Sequence, residues 1–173
     1  MGDASDTASS IDCERSNEMK VELFNDDIVS EYVEWKNANP DNFSWWSFVN
    51  LKSDLQTALG FAKFFYPDII EIEGCFLIKD KYYADVFEGW KKDCNNNKTD
   101  IEKMMNLYEV GDFFHINKSY DENEDIQVIA LGNALKHLWL LSFKDRFPNR
   151  KINVEVFQED DGALFITVYE QLD

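Results

Sequence analysis

The chain has 173 residues, of which 45% are hydrophobic and 15% aromatic, and its 34 acidic and 17 basic residues give a net charge of −17. This length is typical of one domain with a single core, and the many large apolar side chains exclude a wholly disordered chain. So acidic a surface repels phosphate backbones and anionic lipids, which argues against binding to nucleic acid or to a membrane. The charge has two remaining interpretations, which are solubility alone and a basic protein partner.

Residues 1–20 are rich in Ser, Asp, Thr and Ala and carry five acidic and two basic side chains, a net charge of −3. This composition predicts a flexible acidic tail ahead of one α+β domain over residues 21–173. The tail lacks the basic and apolar blocks of a signal peptide. The cysteines, Cys13, Cys75 and Cys94, are odd in number and irregularly spaced. They indicate a reducing compartment, so a cytoplasmic location is expected.

Helical spacing of apolar residues predicts helices, in chain order, at about 26–37, from about 50 to Phe65, from about 80, at about 99–108 and at about 122–146. The second helix is capped by Asn50, or by Ser44 if it begins earlier. The short fourth helix begins with Thr99 to Glu102, which fits a capping box. The last helix is the longest, and its predicted apolar face is built from Ile126, Ile129, Ala130, Ala134, Leu138 and Leu141. The face is widened by Leu131, Leu135, Trp139 and Phe143, which predicts that this helix is the central one. Because Asn133, Lys136 and His137 interrupt it, this helix is interpreted as buried in a soluble core.

Three segments have the two-residue side-chain periodicity of β-strands. Ile69–Ile78 is rich in β-branched residues, with Gly74 predicted to form a bulge or a close backbone contact. Ile152–Val156 and Leu164–Val168 flank Asp161-Gly162, which predicts a C-terminal hairpin. Residues 109–120 look irregular. The expected fold is α+β, with a largely antiparallel sheet of about three strands covered on one face by four or five helices.

Motifs for nucleotide binding and for nucleophilic hydrolysis are absent: the sequence contains no G-x-x-x-x-G-K-[ST], no G-x-G-x-x-G and no G-x-S-x-G. Asp121–Asp125 begins like a calcium loop, but Ile126 and Gly132 stand where that loop needs glycine and a bidentate glutamate. The segment is better interpreted as the start of a helix, where acidic residues suit the dipole. We therefore expect no metal, no cofactor and no catalytic site.

Carboxylates form two candidate surfaces. Glu71 and Glu73 are expected to project from one strand face about 7 Å apart, and Glu155 on the polar side of its own strand extends them into one acidic sheet face. Glu159, Asp160 and Asp161 cluster in the hairpin turn. The ordinary interpretation is a solvated sheet face and an exposed turn. The alternative is a docking surface for a basic partner.

Aromatic residues are dense in Phe43–Phe48, where the four aromatic side chains, which include Trp45, Trp46 and Phe48, cannot all face one way. Exposed members would be interface anchors, whereas the alternative is that they cap the core beside the second helix.

Three functional hypotheses remain open. The first is a non-enzymatic acidic protein-binding domain, most concretely an immunity protein or antitoxin that neutralises a basic toxic partner. The second is a small-molecule-binding protein or enzyme with an aromatic-lined pocket, in which His115, Asp112 or His137 supplies polar groups. The third is an accessory subunit of a larger complex. The sequence does not fix the oligomeric state.

Overall fold

The computed structural model describes residues 22–117 and 120–171, so the predicted tail at 1–20 lies outside the described residues. The helices are α1 (Ser30–Ala38), α2 (Trp45–Lys52), α3 (Leu55–Phe65), α4 (Ala84–Asp93), α5 (Lys98–Met105) and α6 (Glu124–Arg146), with short 3-10 helices at Asp26–Ile28, Lys79–Lys81 and Val110–Asn117. The strands are β1 (Ile69–Ile72), β2 (Cys75–Ile78), β3 (Tyr108–Glu109), β4 (Ile152–Gln158) and β5 (Leu164–Glu170). The predicted α+β class is confirmed.

The C-terminal hairpin is confirmed and forms most of an antiparallel sheet with strand order β3-β5-β4. Its turn uses Gly162 at φ 92°, a left-handed conformation that glycine adopts without a steric penalty. The third strand is β3, which lies at the start of the segment expected to be irregular. Within the described part of that segment, Val110–Asn117 forms 3-10 helix with a kink at Phe114.

The prediction of one strand at Ile69–Ile78 is wrong, because the segment folds back on itself as a second hairpin, β1–β2. Glu73 at φ 49° and Gly74 at φ 79° occupy the turn. Two positive φ angles in a two-residue loop match the twist of a hairpin. Gly74 therefore forms the turn itself, where a bulge or close contact was expected.

The four residues of β2 are all buried and alternate between two apolar clusters. Phe76 and Ile78 belong to the main core, which α6 shares with β4 and β5. Cys75 and Leu77 belong to a smaller core together with residues of α4 and α5. Cys75 is buried, with 4% of its surface exposed.

The main core is the contact of α6 with the three-stranded sheet. Leu135, Trp139 and Phe143 recur at helical spacing on the buried face of α6. Gly132 lies on this face, where an added Cβ would come within 2.8 Å of Leu164 Cδ2. The missing side chain therefore allows the helix to approach β5 closely.

The predicted apolar face of α6 is only partly right. Ala134 is buried, but Ile126, Ile129 and Leu141 are 53%, 44% and 54% exposed. Because α6 is apolar almost all round, the helix retains apolar surface after its core face is covered. By length and composition, α6 is the helix in the described part of the chain that could cross a membrane, a test that core helices of soluble proteins also pass.

Helix α5 lies against both sheets. Its start is capped by Asn97, whose side chain accepts from Asp100 N, so the predicted capping box at Thr99–Glu102 is wrong. Thr99 donates its hydroxyl to Glu170 O instead, and the Glu102 side chain turns into the interior, where it is fully buried.

The first two predicted helices are each divided. A 3-10 turn precedes α1, and the chain breaks between α2 and α3 at Ser53 and Asp54. Asp54 accepts from Thr57 N at 2.8 Å and so caps α3. Helices α1 and α2 share an aromatic cluster centred on Tyr32, which is 7% exposed.

Candidate protein-binding surface

The predicted acidic sheet face is divided by the fold. Glu71 lies in the two-stranded sheet, whereas Glu155 lies in the three-stranded sheet. Glu71 accepts from Arg150 Nη1 at 2.8 Å. Arg150 also binds Glu170, with Nη2–Oε2 at 2.7 Å, and this contact holds the pKa of the Glu170 carboxyl at about 2.

Two other predicted docking carboxylates also have internal partners. Glu73, in the β1–β2 turn, pairs with Lys91 at 2.7 Å, and Glu155 pairs with Lys103 at 3.4 Å. Lys91 and Lys103 thus offset two of the negative charges that the sequence assigned to a docking face.

The hairpin turn remains exposed. Glu159, Asp160 and Asp161 all face solvent, and Asp161 accepts from Ala163 N at 3.0 Å, which stabilises the turn. Among the described residues no group of three or more His, Cys, Asp and Glu side chains is placed to hold a metal ion.

The aromatic residues of Phe43–Phe48 differ in their exposure to solvent. Trp45 stacks on Tyr32 with ring centroids 4.0 Å apart and donates from Nε1 to Asp26 at 3.0 Å. Phe48 contacts the same rings edge-on. Trp46 is 79% exposed, so it is the member of the three predicted anchors that remains available to a partner.

A concentration of negative charge lies elsewhere, at the junction of the first helical turns with the start of α6. Residues 22–34 and 121–125, here called the acidic end, contain nine Asp and Glu and no Lys or Arg. Ser30 Oγ joins the two segments by donating to Asp121 Oδ1 at 3.1 Å, and Gln127 Nε2 donates to Ile28 O at 2.7 Å.

Within the described part of the chain, Asp27, Glu122 and Asp125 of the acidic end are exposed and lie in no ion pair. Asp121 accepts from Asn123 N at 2.9 Å, and this hydrogen bond lowers the pKa of its carboxyl. The ion pair of Glu31 with Lys52, at 2.5 Å, links the acidic end to α2. Within the described part of the chain, Asp27, Glu122 and Asp125 therefore present negative charge to solvent.

An apolar groove of about 620 Å³ begins at the acidic end and is here called the α6 groove. Its floor is one face of α6. Its walls are residues 23–29, the end of α3 and the 3-10 helix at Val110–Asn117. The apolar lining is Leu23, Phe24, Ile28, Val29, Phe65, Val110, Phe114, Val128, Ala130, Leu131, Ala134 and Leu138.

The polar groups of the groove are largely engaged within the protein. Gln127 donates to Ile28 O and to Asp121 Oδ2, and His115 Nδ1 contacts the backbone oxygen of Asp112 at 2.5 Å. The Asp112 carboxylate does not face His115 in this contact. The groove thus offers an apolar surface with acidic residues at one end.

The second hypothesis placed polar groups of an aromatic-lined pocket at His115, Asp112 or His137. Of these, only His115 lines the α6 groove. His137 is exposed and lines a separate hollow of about 250 Å³ beside Lys144. The residues proposed for that hypothesis therefore do not converge on one site.

Sequence reasoning missed both the acidic end and the groove. Residues 121–125 were interpreted only as a helix start, and their pairing with residues 22–34 depends on a contact between segments about 90 positions apart. The signal for the groove was present in α6, since apolar residues on more than one face exceed what one sheet can cover.

Comparison with known proteins finds no relative. No family model, no curated protein and no solved structure matches the chain. Function is therefore inferred from the contacts, burial and charge of the described surface.

Proposed function

We propose that this protein is a non-enzymatic binding domain that neutralises a basic protein partner, as an immunity protein or antitoxin does, and that the acidic end is its docking surface. The observation that carries the proposal is the gathering of nine Asp and Glu, without Lys or Arg, in two segments that hydrogen bonds hold together.

Electrostatic complementarity would increase the rate of association with a basic partner and the selectivity for it. A negative patch steers a positive surface during encounter and repels other acidic proteins, and this effect weakens as salt screens the charges. Asp27, Glu122 and Asp125 would act first, because they are exposed and lie in no ion pair with a described residue.

Apolar contacts would then hold the complex together. Interfaces owe most of their affinity to a few buried anchors, and exposed tryptophan is a frequent one. Trp46 is 79% exposed on α2, the helix that contacts the acidic end through Trp45 Nε1 and Asp26. The free thiols of Cys75 and Cys94 are compatible with action in the cytoplasm.

Affinity capture from native lysate followed by an activity assay tests the proposal. The tagged protein should retain one strongly basic protein at low salt, release it at high salt and inhibit its enzymatic activity at equimolar concentration. Retention of a partner with undiminished activity would favour the accessory-subunit hypothesis. Failure to retain any basic protein at low salt would contradict the proposed function.

A further inference from the structure

We infer that the α6 groove receives a helical segment of the partner that is apolar on one face and carries basic residues beside the acidic end. The inference rests on the proposed function and adds the recognition element. It follows from the shape of the groove, its apolar lining and the location of the charge.

The floor of the groove has the periodicity of a helix face. Its residues on α6 are Glu124, Gln127, Val128, Ala130, Leu131, Ala134 and Leu138. From Glu124 to Leu138 the floor extends for about 21 Å at 1.5 Å per residue. A docking helix of about 14 residues has the same length, and recognition of this type uses apolar anchors at i, i+3/i+4 and i+7.

The lining leaves room for inserted side chains. Ala130, Ala134 and Gly111 present little or no side chain to a groove of about 620 Å³. The apolar side chains along one face of a docked helix would fit into this volume. The backbone of that helix would remain outside the groove. Water that now covers the lining would be released on docking, which favours association.

The negative charge beside the α6 groove determines which helices bind there. The acidic end borders the groove at Asp121 and Glu124, and Glu122 and Asp125 beside them are exposed. An acidic or neutral apolar helix would bring no positive charge towards the exposed carboxylates of Glu122 and Asp125. A helix with Lys or Arg at this end gains attraction and makes the groove selective for basic partners.

A synthetic peptide provides the probe. We would use a fluorescent 15-residue helical peptide with Leu along one face and Lys on the remaining positions, and measure its binding to the full chain by anisotropy. A scrambled peptide has the same charge and composition without the apolar face, and a version with Glu in place of Lys has the opposite charge. The first peptide should bind at least about tenfold more tightly than either control.

Matched variants locate the site on the protein. Leu138 lines the groove, whereas Leu141 on the same helix lines the separate hollow and is 54% exposed. L138E should weaken peptide binding at least about tenfold and L141E less than about twofold, although both add one negative charge. Ala130→Phe fills the groove without adding charge and should also weaken binding, which keeps the test independent of any folding defect in L138E.

Equal binding of the scrambled peptide, or equal affinity of the L138E and L141E variants, would overturn the inference. Binding of the neutral apolar dye Nile red in the groove, without binding of the peptide, would assign the groove to a small apolar ligand instead. A dimer that L138E dissociates would assign it to a second copy of the chain. If L138E still retains and inhibits the basic protein captured from lysate, the proposed function stands and only the groove inference fails.

Discussion

Glu102 and Asn106 lie one turn apart at the C-terminal end of α5, and both side chains hydrogen bond to the backbone of β2 and of β5. Glu102 accepts from Phe76 N at 2.7 Å and from Glu170 N at 2.6 Å. Asn106 accepts from Ile78 N and donates to Phe76 O and Val168 O, each at 2.8 Å. Two separate sheets are thereby joined through the side chains of one helix.

Removal of this connection should destabilise the fold. Glu102→Ala leaves the buried Phe76 N–H and the partly buried Glu170 N–H without their acceptor, and Asn106→Ala removes the partner of three backbone groups. Each substitution should lower the free energy of unfolding by about 2–4 kcal/mol, measured by urea denaturation. Asp100→Ala, at an exposed position on α5, is the control and should cost at most about 0.5 kcal/mol. A loss of similar size in all three variants would contradict the role of the connection.

Stability should depend on Glu170 at acid pH. Its hydrogen bonds from Arg150 lower the pKa of the folded carboxyl from 4.5 to about 2. Its contribution is therefore present above pH 4.5 and is lost as the pH falls towards 2. Because solvent partly screens the ion pair, the loss should be about 1–2 kcal/mol. Glu170→Gln should be less stable than the wild type at pH 6, and this difference should shrink by pH 2.5.

Burial raises the pKa of Glu102, so the stability contributed by this group is present at low pH and lost as the pH rises through its folded value. Desolvation, the largest cause of this shift, is common to both proteins in the Glu170 comparison and is removed by taking their difference. Repulsion by the Glu170 carboxylate also raises the Glu102 pKa, so this smaller part of the dependence is lost in Glu170→Gln. A difference in unfolding free energy that stays constant from pH 6 to pH 2.5 would contradict the role of Glu170.

The β1–β2 turn can be tested with glycine substitutions. Gly74→Ala places a Cβ at φ 79° and should destabilise the protein by about 1–2 kcal/mol. Gly89, inside α4, has no atom within 4 Å of an added Cβ, so Gly89→Ala should stabilise by about 0.5–1 kcal/mol. Thermal unfolding measures both variants, and an unchanged Tm for Gly74→Ala would contradict the turn.

Trp45 and Trp46 should behave differently despite being neighbours. Trp45→Ala removes a ring stacked on Tyr32 and a hydrogen bond to Asp26, and should cost about 2–3 kcal/mol. Trp46→Ala removes an exposed ring and should change stability by less than about 0.5 kcal/mol. Trp46→Ala should nevertheless weaken retention of the basic partner. Normal retention of the partner by this variant would show that Trp46 does not lie in the interface.

The sequence predicts those elements whose signals are local. The C-terminal hairpin follows from alternation on both sides of Asp161-Gly162, and α6 follows from its long apolar periodicity. The β1–β2 hairpin was missed because Glu73-Gly74 is a weaker turn signal than Asn-Gly or Asp-Gly and interrupts a run that alternates on both sides. The exposed positions of Ile126 and Ile129 were missed because a helix that is apolar all round does not reveal its core face.

The candidate site depends on tertiary contacts and was therefore less accessible to sequence reasoning. The internal partners of Glu71, Glu73 and Glu155 are Arg150, Lys91 and Lys103. Each basic partner is distant in sequence from its carboxylate or lies on a different helix or strand. Net charge alone therefore does not show which carboxylates are neutralised. The acidic end likewise arises where α1 approaches the start of α6.

The most direct test of the central claim compares two charge-matched variants in the lysate capture. Glu122→Gln/Asp125→Asn neutralises two carboxylates at the acidic end, and Glu159→Gln/Asp160→Asn neutralises two in the hairpin turn. The first variant should retain the basic partner at least about tenfold more weakly than the wild type, while the second should retain it normally. Equal retention by the two variants, or selective loss in the hairpin-turn variant, would contradict docking at the acidic end.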